Sequence, residues 1–144
     1  PGNVFGMGHF WGGSGGGEKI HALIKAGVRG TKAVIAEEQT MAFEYLYADD
    51  MGRALDLAAT VSEIPAIATY NISWGEAITF ERLTNALKAN LPDLEVEITP
   101  GTPPNSRKTP LDISKARDEL GWEPSFTLES ALGAYAEEFR KRNP

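Results

Sequence analysis

At 144 residues, with 42% hydrophobic and 24% charged side chains, the chain has the balance of one soluble globular domain or part of a larger one. A net charge of −6 and a pI near 4.9 exclude an extended nucleic-acid surface, which needs clustered Lys and Arg. The lack of cysteine and the presence of only two histidines, His9 and His21, exclude disulfides, thiolate chemistry and a histidine metal cluster, and no apolar run approaches the ~20 residues of a membrane helix.

In chain order, the glycine tract Gly12–Gly17 reads as a flexible loop or a linker, and a helix is predicted from Glu18 to Ala26, stopped by Gly27. Lys32–Ala36 and Phe43–Ala48 read as short strands. Asp49 or Asp50 is placed to cap a helix that turns Met51, Leu55 and Ala58 inward. Thr69–Ser73 reads as a strand. Thr79 caps a helix with Phe80, Leu83, Leu87 and Leu91 on one face. Leu94, Val96 and Ile98 alternate with Glu95 and Glu97, the pattern of a half-exposed strand.

Pro100–Pro110 is a loop rich in Pro, Gly, Thr and Asn whose charges are Arg107 and Lys108. Asp112 can then cap a two-turn helix bearing Ile113, Ala116 and Leu120. Gly121 supplies a left-handed stop, Trp122 can pack back over the helix, and Pro124 prevents it from resuming. Thr127 starts a last helix with Leu128, Ala131, Leu132, Tyr135 and Phe139 in one stripe; the basic run Arg140–Arg142 at its end suits the helix dipole. Strands alternating with helices indicate an α/β protein.

The glycine tract invites a phosphate-loop reading, because bare backbone N–H groups ahead of a helix can cradle an anion. It fails the template, since Gly17 is followed by Glu18 and Lys19 rather than by Lys and Ser or Thr. His9, Trp11 and Trp74 read first as structural or loop residues, with ligand contact as the alternative. The Asp49–Asp50 pair reads as a helix-start feature, with Arg53 as a local ion-pair partner.

Four blocks carry a family likeness. Pro1-Gly2-Asn3-Val4-Phe5-Gly6 is similar to an R-x-x-N-V-Y-G strand end, and Phe43-Glu-Tyr-Leu-Tyr-Ala-Asp-Asp-Met-Gly-Arg-Ala54 to "RDFIYVDDVARA". Tyr70-Asn-Ile-Ser73 is similar to "YNVG", and Asp112-Ile-Ser-Lys-Ala-Arg-Asp-Glu-Leu-Gly-Trp-Glu-Pro124 to a closing D-x-x-K-A segment. In this order they resemble the C-terminal half of the extended short-chain dehydrogenase/reductases, the NAD-dependent epimerase/dehydratase family.

That resemblance implies a Rossmann-type fold with a smaller substrate-binding subdomain, residues 1–144 forming the substrate-binding portion and the dinucleotide-binding half lying upstream. It implies a cytoplasmic enzyme, a homodimer when full length, that uses NAD or NADP in transient hydride transfer on a sugar or nucleotide sugar. The implied catalytic pair, Tyr-x-x-x-Lys, is expected before Pro1: Tyr45, Tyr47, Tyr70 and Tyr135 are followed four residues on by Asp49, Met51, Trp74 and Phe139. No catalytic residue and no metal site is therefore expected here, and this chain alone should be inactive. Substrate contacts are expected from Asn3, Arg107 and Lys108.

Two departures bear on the substrate. Phe43 stands where the family usually has Arg in "RDFIY", and Thr102 where it often has Arg in "PGRPGD". Neither replaces a charge that clamps a diphosphate. Two alternatives stay open: a dehydrogenase or reductase of a non-nucleotide small molecule, and a non-catalytic binding module with the same fold.

Overall fold

The computed structural model describes residues 1–8, 15–62, 68–105 and 109–143. In chain order they form β1 (Asn3–Phe5), α1 (Gly15–Arg29), β2 (Ala33–Ala36), a 3-10 turn (Glu37–Thr40), β3 (Tyr45–Tyr47), α2 (Ala48–Thr60), α3 (Phe80–Asn90), β4 (Val96–Thr99), α4 (Ser114–Leu120) and α5 (Leu128–Arg142). The α/β expectation holds. β1 pairs in parallel with β3 and β2 with β4, giving two two-stranded sheets among the described residues.

The β1–β3 pair is the pivot because its residues alternate between two cores. Phe5, Tyr45 and Tyr47 point into the larger core with Ile20, Leu23 and Ile24 of α1, Leu83 and Leu87 of α3, and Leu132 and Tyr135 of α5. Leu46 points the other way, with Val4, into a smaller core of Ala54, Ile72, Ala116, Leu120 and Trp122. Helices thus cover both faces, as parallel strands require.

Several expectations need correcting. α1 begins at Gly15 and runs past Gly27 to Arg29, so Gly15–Gly17 is helix rather than loop; residues 12–14 lie outside the described residues. Gly27 is no stop: a Cβ there would come within 2.9 Å of Leu91, so the glycine lets α1 approach α3's end closely. Leu55 is 60% exposed, because α2 docks through Ala54, Leu57, Ala58 and Val61 instead. Thr69–Ser73 forms no strand; the segment is tied to the β1–β3 pair by Gly2 N–H donating to Ile72 O (2.8 Å) and Trp74 N–H to Tyr45 O (3.3 Å). Ile98 is 50% exposed at the end of β4, whereas Leu94 is buried as expected.

Asp49 and Asp50 do not cap α2, whose first turn follows Tyr47 in extended backbone with no side-chain cap. Asp50 turns inward and is fully buried. Its Oδ1 accepts from Ser125 N–H (2.9 Å), Ser125 Oγ–H (2.6 Å) and Arg53 (3.1 Å), and its Oδ2 from Phe126 N–H (3.2 Å). Its backbone carbonyl accepts from the Trp122 indole at 3.1 Å. The closing segment is thereby tied to α2.

The closing segment otherwise follows its sequence. Its start differs: Ile113, not Asp112, takes the N-cap position, without a side-chain cap, and Asp112 Oδ1 one residue earlier accepts from Ser114 N–H at 2.9 Å. Gly121 ends α4 in the left-handed region (φ 64°), a conformation that an L side chain adopts only at a cost. Thr79 and Thr127 cap α3 and α5 by accepting from Arg82 N–H and Ser130 N–H.

Candidate functional site

A cavity of about 290 Å³ opens where the start of β1, the segment before β3 and the loop before α4 meet. Asn3, Met41, Phe43, Glu44, Asn105 and Leu111 are among its walls. Asn3 is held at the strand start by two bonds to one acceptor: its backbone N–H (2.7 Å) and Nδ2 (3.2 Å) both donate to Glu44 O. Gly16 of α1 lies against the Asn3 side chain, where a Cβ would sit 3.0 Å from Asn3 Cγ and Oδ1. A side chain at Gly16 would press on that amide, which would have to give by a few tenths of an ångström.

Glu44 is the brace of this site. One carboxylate oxygen accepts from Ser73 Oγ–H and the other from Leu111 N–H, both at 2.8 Å. Ser73 Oγ in turn accepts from Gly75 N–H at 3.0 Å. A single carboxylate therefore fixes the segment after Ile72 and the loop before α4 around the cavity, through charge-assisted bonds. Glu44→Ala should splay these walls and weaken ligand binding about tenfold, equivalent to roughly 1.4 kcal/mol. Glu44→Gln keeps an acceptor for Leu111 and should lose less. Calorimetric ligand titrations of both variants check this, and equal affinities for the alanine variant and wild type would remove Glu44 from the account.

Lys19 lies behind the same wall. It is buried, and its Nζ donates to Gln39 O (2.7 Å) and Met41 O (3.4 Å) while sitting 4.5 Å from the Phe43 ring and 5.5 Å from Phe80. Burial lowers its pKa to about 8. The acids on neighbouring elements are engaged elsewhere: Glu37 and Glu38 bind Gly101 and Thr102, and Glu44 binds Ser73 and Leu111.

The unfolded chain binds a proton at Lys19 up to about pH 10.4, the folded chain only up to about 8, so stability should rise as pH climbs between those values. The gain should be about 1–3 kcal/mol, since the aromatic faces and carbonyls offset part of the desolvation penalty. Above pH 10 the trend reverses, because burial raises the pKa values of Tyr45, Tyr47 and Tyr135 and the fold keeps protons that the unfolded chain loses. Denaturant titrations at pH 7.5 and 9.5 should show the rise in wild type and not in Lys19→Met; identical slopes in both would contradict it.

Arg107 and Lys108 lie outside the described residues, as do His9 and Trp11; Asn105 and Thr109, on either side of the pair, line the cavity. Thr102 serves the loop through its backbone, donating to Glu38 Oε1 at 3.1 Å beside Gly101 N–H to Glu37 Oε2 at 3.0 Å. The Glu38 carboxyl is held below its ordinary pKa by its own backbone N–H first, then by that of Thr102. Trp74 packs edge-on to Phe5 (5.7 Å), and its buried indole N–H has no acceptor among the described residues. Among the described residues no cluster of His, Asp and Glu could hold a metal.

No protein-family model matches the chain. UDP-glucuronic acid decarboxylase 6 of Arabidopsis thaliana is 29% identical over 127 residues, 88% of this chain and 36% of the relative. UDP-glucose 4-epimerase of Thermotoga maritima, solved with UDP-glucose, superposes with a TM-score of 0.80 at 30% identity, over 99% of this chain and 45% of that one. The chain matches the extended short-chain dehydrogenase/reductases, in their C-terminal part. The Bacillus cereus UDP-glucuronic acid 4-epimerase, solved with UDP-glucuronic acid and NAD, shares the fold at 20% identity and a TM-score of 0.76. The chain shares the Rossmann-type α/β fold of these structures, and it spans less than half the length of each of these relatives.

Within that family frame, sequence reasoning picked out Asn3 and missed Lys19 and Glu44. Lys19 had a signal: it stands four residues before Leu23 and seven before Ala26, on the apolar face of α1. Glu44 had none, since its partners are 29 and 67 residues away.

Proposed function

We propose that this chain is the substrate-side portion of an NAD(P)-dependent enzyme of the epimerase/dehydratase type, acting on a nucleotide sugar by transient hydride transfer. The observation that carries the reading is convergence. Asn3 of the first block, Phe43 and Glu44 of the second and Leu111 beside the fourth line one cavity, and Ser73 of the third bonds Glu44 there. Four stretches far apart in sequence thus meet at one place.

The residues present do not fit the dinucleotide itself. β1 leads into Gly6-Met-Gly8 and α1 begins only at Gly15, a spacing without the G-x-G-x-x-G order of a dinucleotide fingerprint, and no described Tyr has a Lys four residues on. The cofactor and the hydride step belong to a portion other than these residues, so this chain by itself should be inactive. Two further features favour a larger body: parallel sheets of two strands among the described residues, and an exposed Leu55 on α2. Asn3 is assigned a hydrogen bond to the substrate, and Arg107 and Lys108, in the loop whose flanks line the cavity, the charge for a phosphate. Lys19 adds a positive charge against Phe43.

A narrower alternative, a non-nucleotide substrate, is favoured by Phe43 in the cavity wall where the family has Arg. An assay of the intact gene product with bound NAD(P) decides between them. Conversion of UDP-glucose or UDP-glucuronic acid, with kcat/KM lowered about tenfold by Asn3→Ala (roughly 1.4 kcal/mol of transition-state stabilisation), is the expected result. A folded, cofactor-loaded protein that neither binds nor converts any UDP-sugar would move the assignment to the alternative.

A further inference from the structure

Opposite in character to the cavity at Asn3, a groove of about 340 Å³ lies between α1 and α5, and its residues are not shared with that cavity. Its rim carries His21, Lys25, Arg29 and Arg142, over a floor that includes Met7 and Phe139. Every charged side chain lining it is basic, in a chain whose net charge is −6.

Elsewhere this chain pairs many of its cations: Lys32 with Glu97, Arg53 with Asp50, Arg82 with Glu129, Arg117 with Glu123 and Lys141 with Glu137. Arg142 is shared with Glu138 at 2.6 Å. Among the described residues, Lys25 and Arg29 have no carboxylate partner. His21, Lys25 and Arg29 follow at intervals of four along one face of α1, a spacing at which like charges repel. The helix dipole accounts for Arg29 and Arg142, each in a last turn, but not for Lys25 and His21 one and two turns back.

His21 is fixed in place. Its Nδ1 lies 2.7 Å from the Tyr135 hydroxyl and its ring packs edge-on to Phe139 at 5.5 Å. Burial first, then Lys25 and Arg29, hold its pKa below the ordinary histidine value. Three side chains able to donate to an anion therefore surround a rigid imidazole above an apolar floor that limits water.

We propose that this groove binds a small oxyanion of the phosphate or pyrophosphate class, with Lys25 and Arg29 as its principal ligands and Arg142 closing the third side. The guanidinium of Arg29 offers the forked donors that phosphate oxygens accept. A volume of about 340 Å³ is at the small end of ligand sites and suits a compact anion better than an acidic peptide. The inference stands on the charge arrangement and does not depend on the proposed substrate.

The test is a pyrophosphate titration of the intact gene product, read from the imidazole NMR signal of His21, assigned by its loss in His21→Gln. A saturable shift of His21 is expected, with its pKa raised by about half a unit or more because the bound anion favours the imidazolium. The double variant Lys25→Gln/Arg29→Gln should bind at least tenfold more weakly (about 1.4 kcal/mol). The exchange Lys25→Arg/Arg29→Lys, which keeps both charges, should retain binding, and so should the surface control Lys88→Gln. The proposal is overturned by an absent or unsaturable His21 shift, by equal affinity in the neutralised variant, or by an acidic peptide of equal charge binding more tightly than pyrophosphate.

Discussion

Replacing Asp50 with alanine should destabilise the protein by about 3–5 kcal/mol, the range for removing one partner from a buried, hydrogen-bonded charge. The side chain is fully buried and is the acceptor for Ser125 N–H, Ser125 Oγ–H, Phe126 N–H and Arg53. Alanine orphans all of them at once. Asp50→Asn is a milder case, because its single acceptor oxygen cannot serve both Ser125 N–H and Phe126 N–H, and it should cost about 1–3 kcal/mol. Arg53 is half exposed, so Arg53→Ala should cost under about 1 kcal/mol. Denaturant unfolding of the three variants gives the order directly. An Asp50→Ala loss as small as that of Arg53→Ala would show that the carboxylate is not the tie between α2 and the closing segment.

Trp122→Ala should be comparably damaging, at about 3–5 kcal/mol. The indole is fully buried at the centre of the smaller core, among Leu46, Ala54, Ile72, Ala116 and Leu120, and its N–H reaches the carbonyl of Asp50. Trp122→Phe fills most of the space and should lose chiefly the hydrogen bond, about 1–2 kcal/mol. Since Trp122 and Asp50 fasten the same two segments, the losses should not add. The double alanine variant should fall short of the sum by roughly 0.5–3 kcal/mol. Strict additivity in a double-mutant cycle would mean that the two residues stabilise independent regions.

These two residues also show what a sequence reveals and what it withholds. The start of the closing segment falls one residue later than the Asp112 cap expected, whereas its end could be read from local signals, the apolar spacing through Leu120 and the left-handed glycine at 121. The caps at Thr79 and Thr127 were legible for the same reason. Asp50 was misread as a cap because its partners lie 75 and 76 residues downstream, and composition near Asp50 says nothing of Ser125 and Phe126. Gly27 and the tract at Gly15–Gly17 were read by the ordinary rule that glycine breaks helices. The rule yields here to tertiary packing, since Gly16 faces Asn3 and Gly27 faces Leu91 at distances where a Cβ would sit closer than ordinary contact. Leu55 was assigned inward by periodicity and stands exposed, as does Ile98 on the apolar side of the strand read as half-exposed.

The site divides in the same way. Asn3 was visible through its motif. Its holder Glu44 became visible only when separated blocks were brought together, whereas the buried Lys19 stood on the apolar face of α1. The cavity is therefore a product of topology, in which β1 and β3 lie in parallel with Asn3 beside Tyr45, and the loop before α4 folds back over Glu44.

Hydrogen exchange on the intact gene product, with NAD bound and UDP-glucuronic acid added, tests that convergence most directly. The account predicts new protection confined, within these residues, to peptides covering 1–5, 41–46 and 109–112, and its loss in Asn3→Ala. Protection that leaves those three segments unchanged while the ligand binds tightly would contradict the placement of the substrate wall.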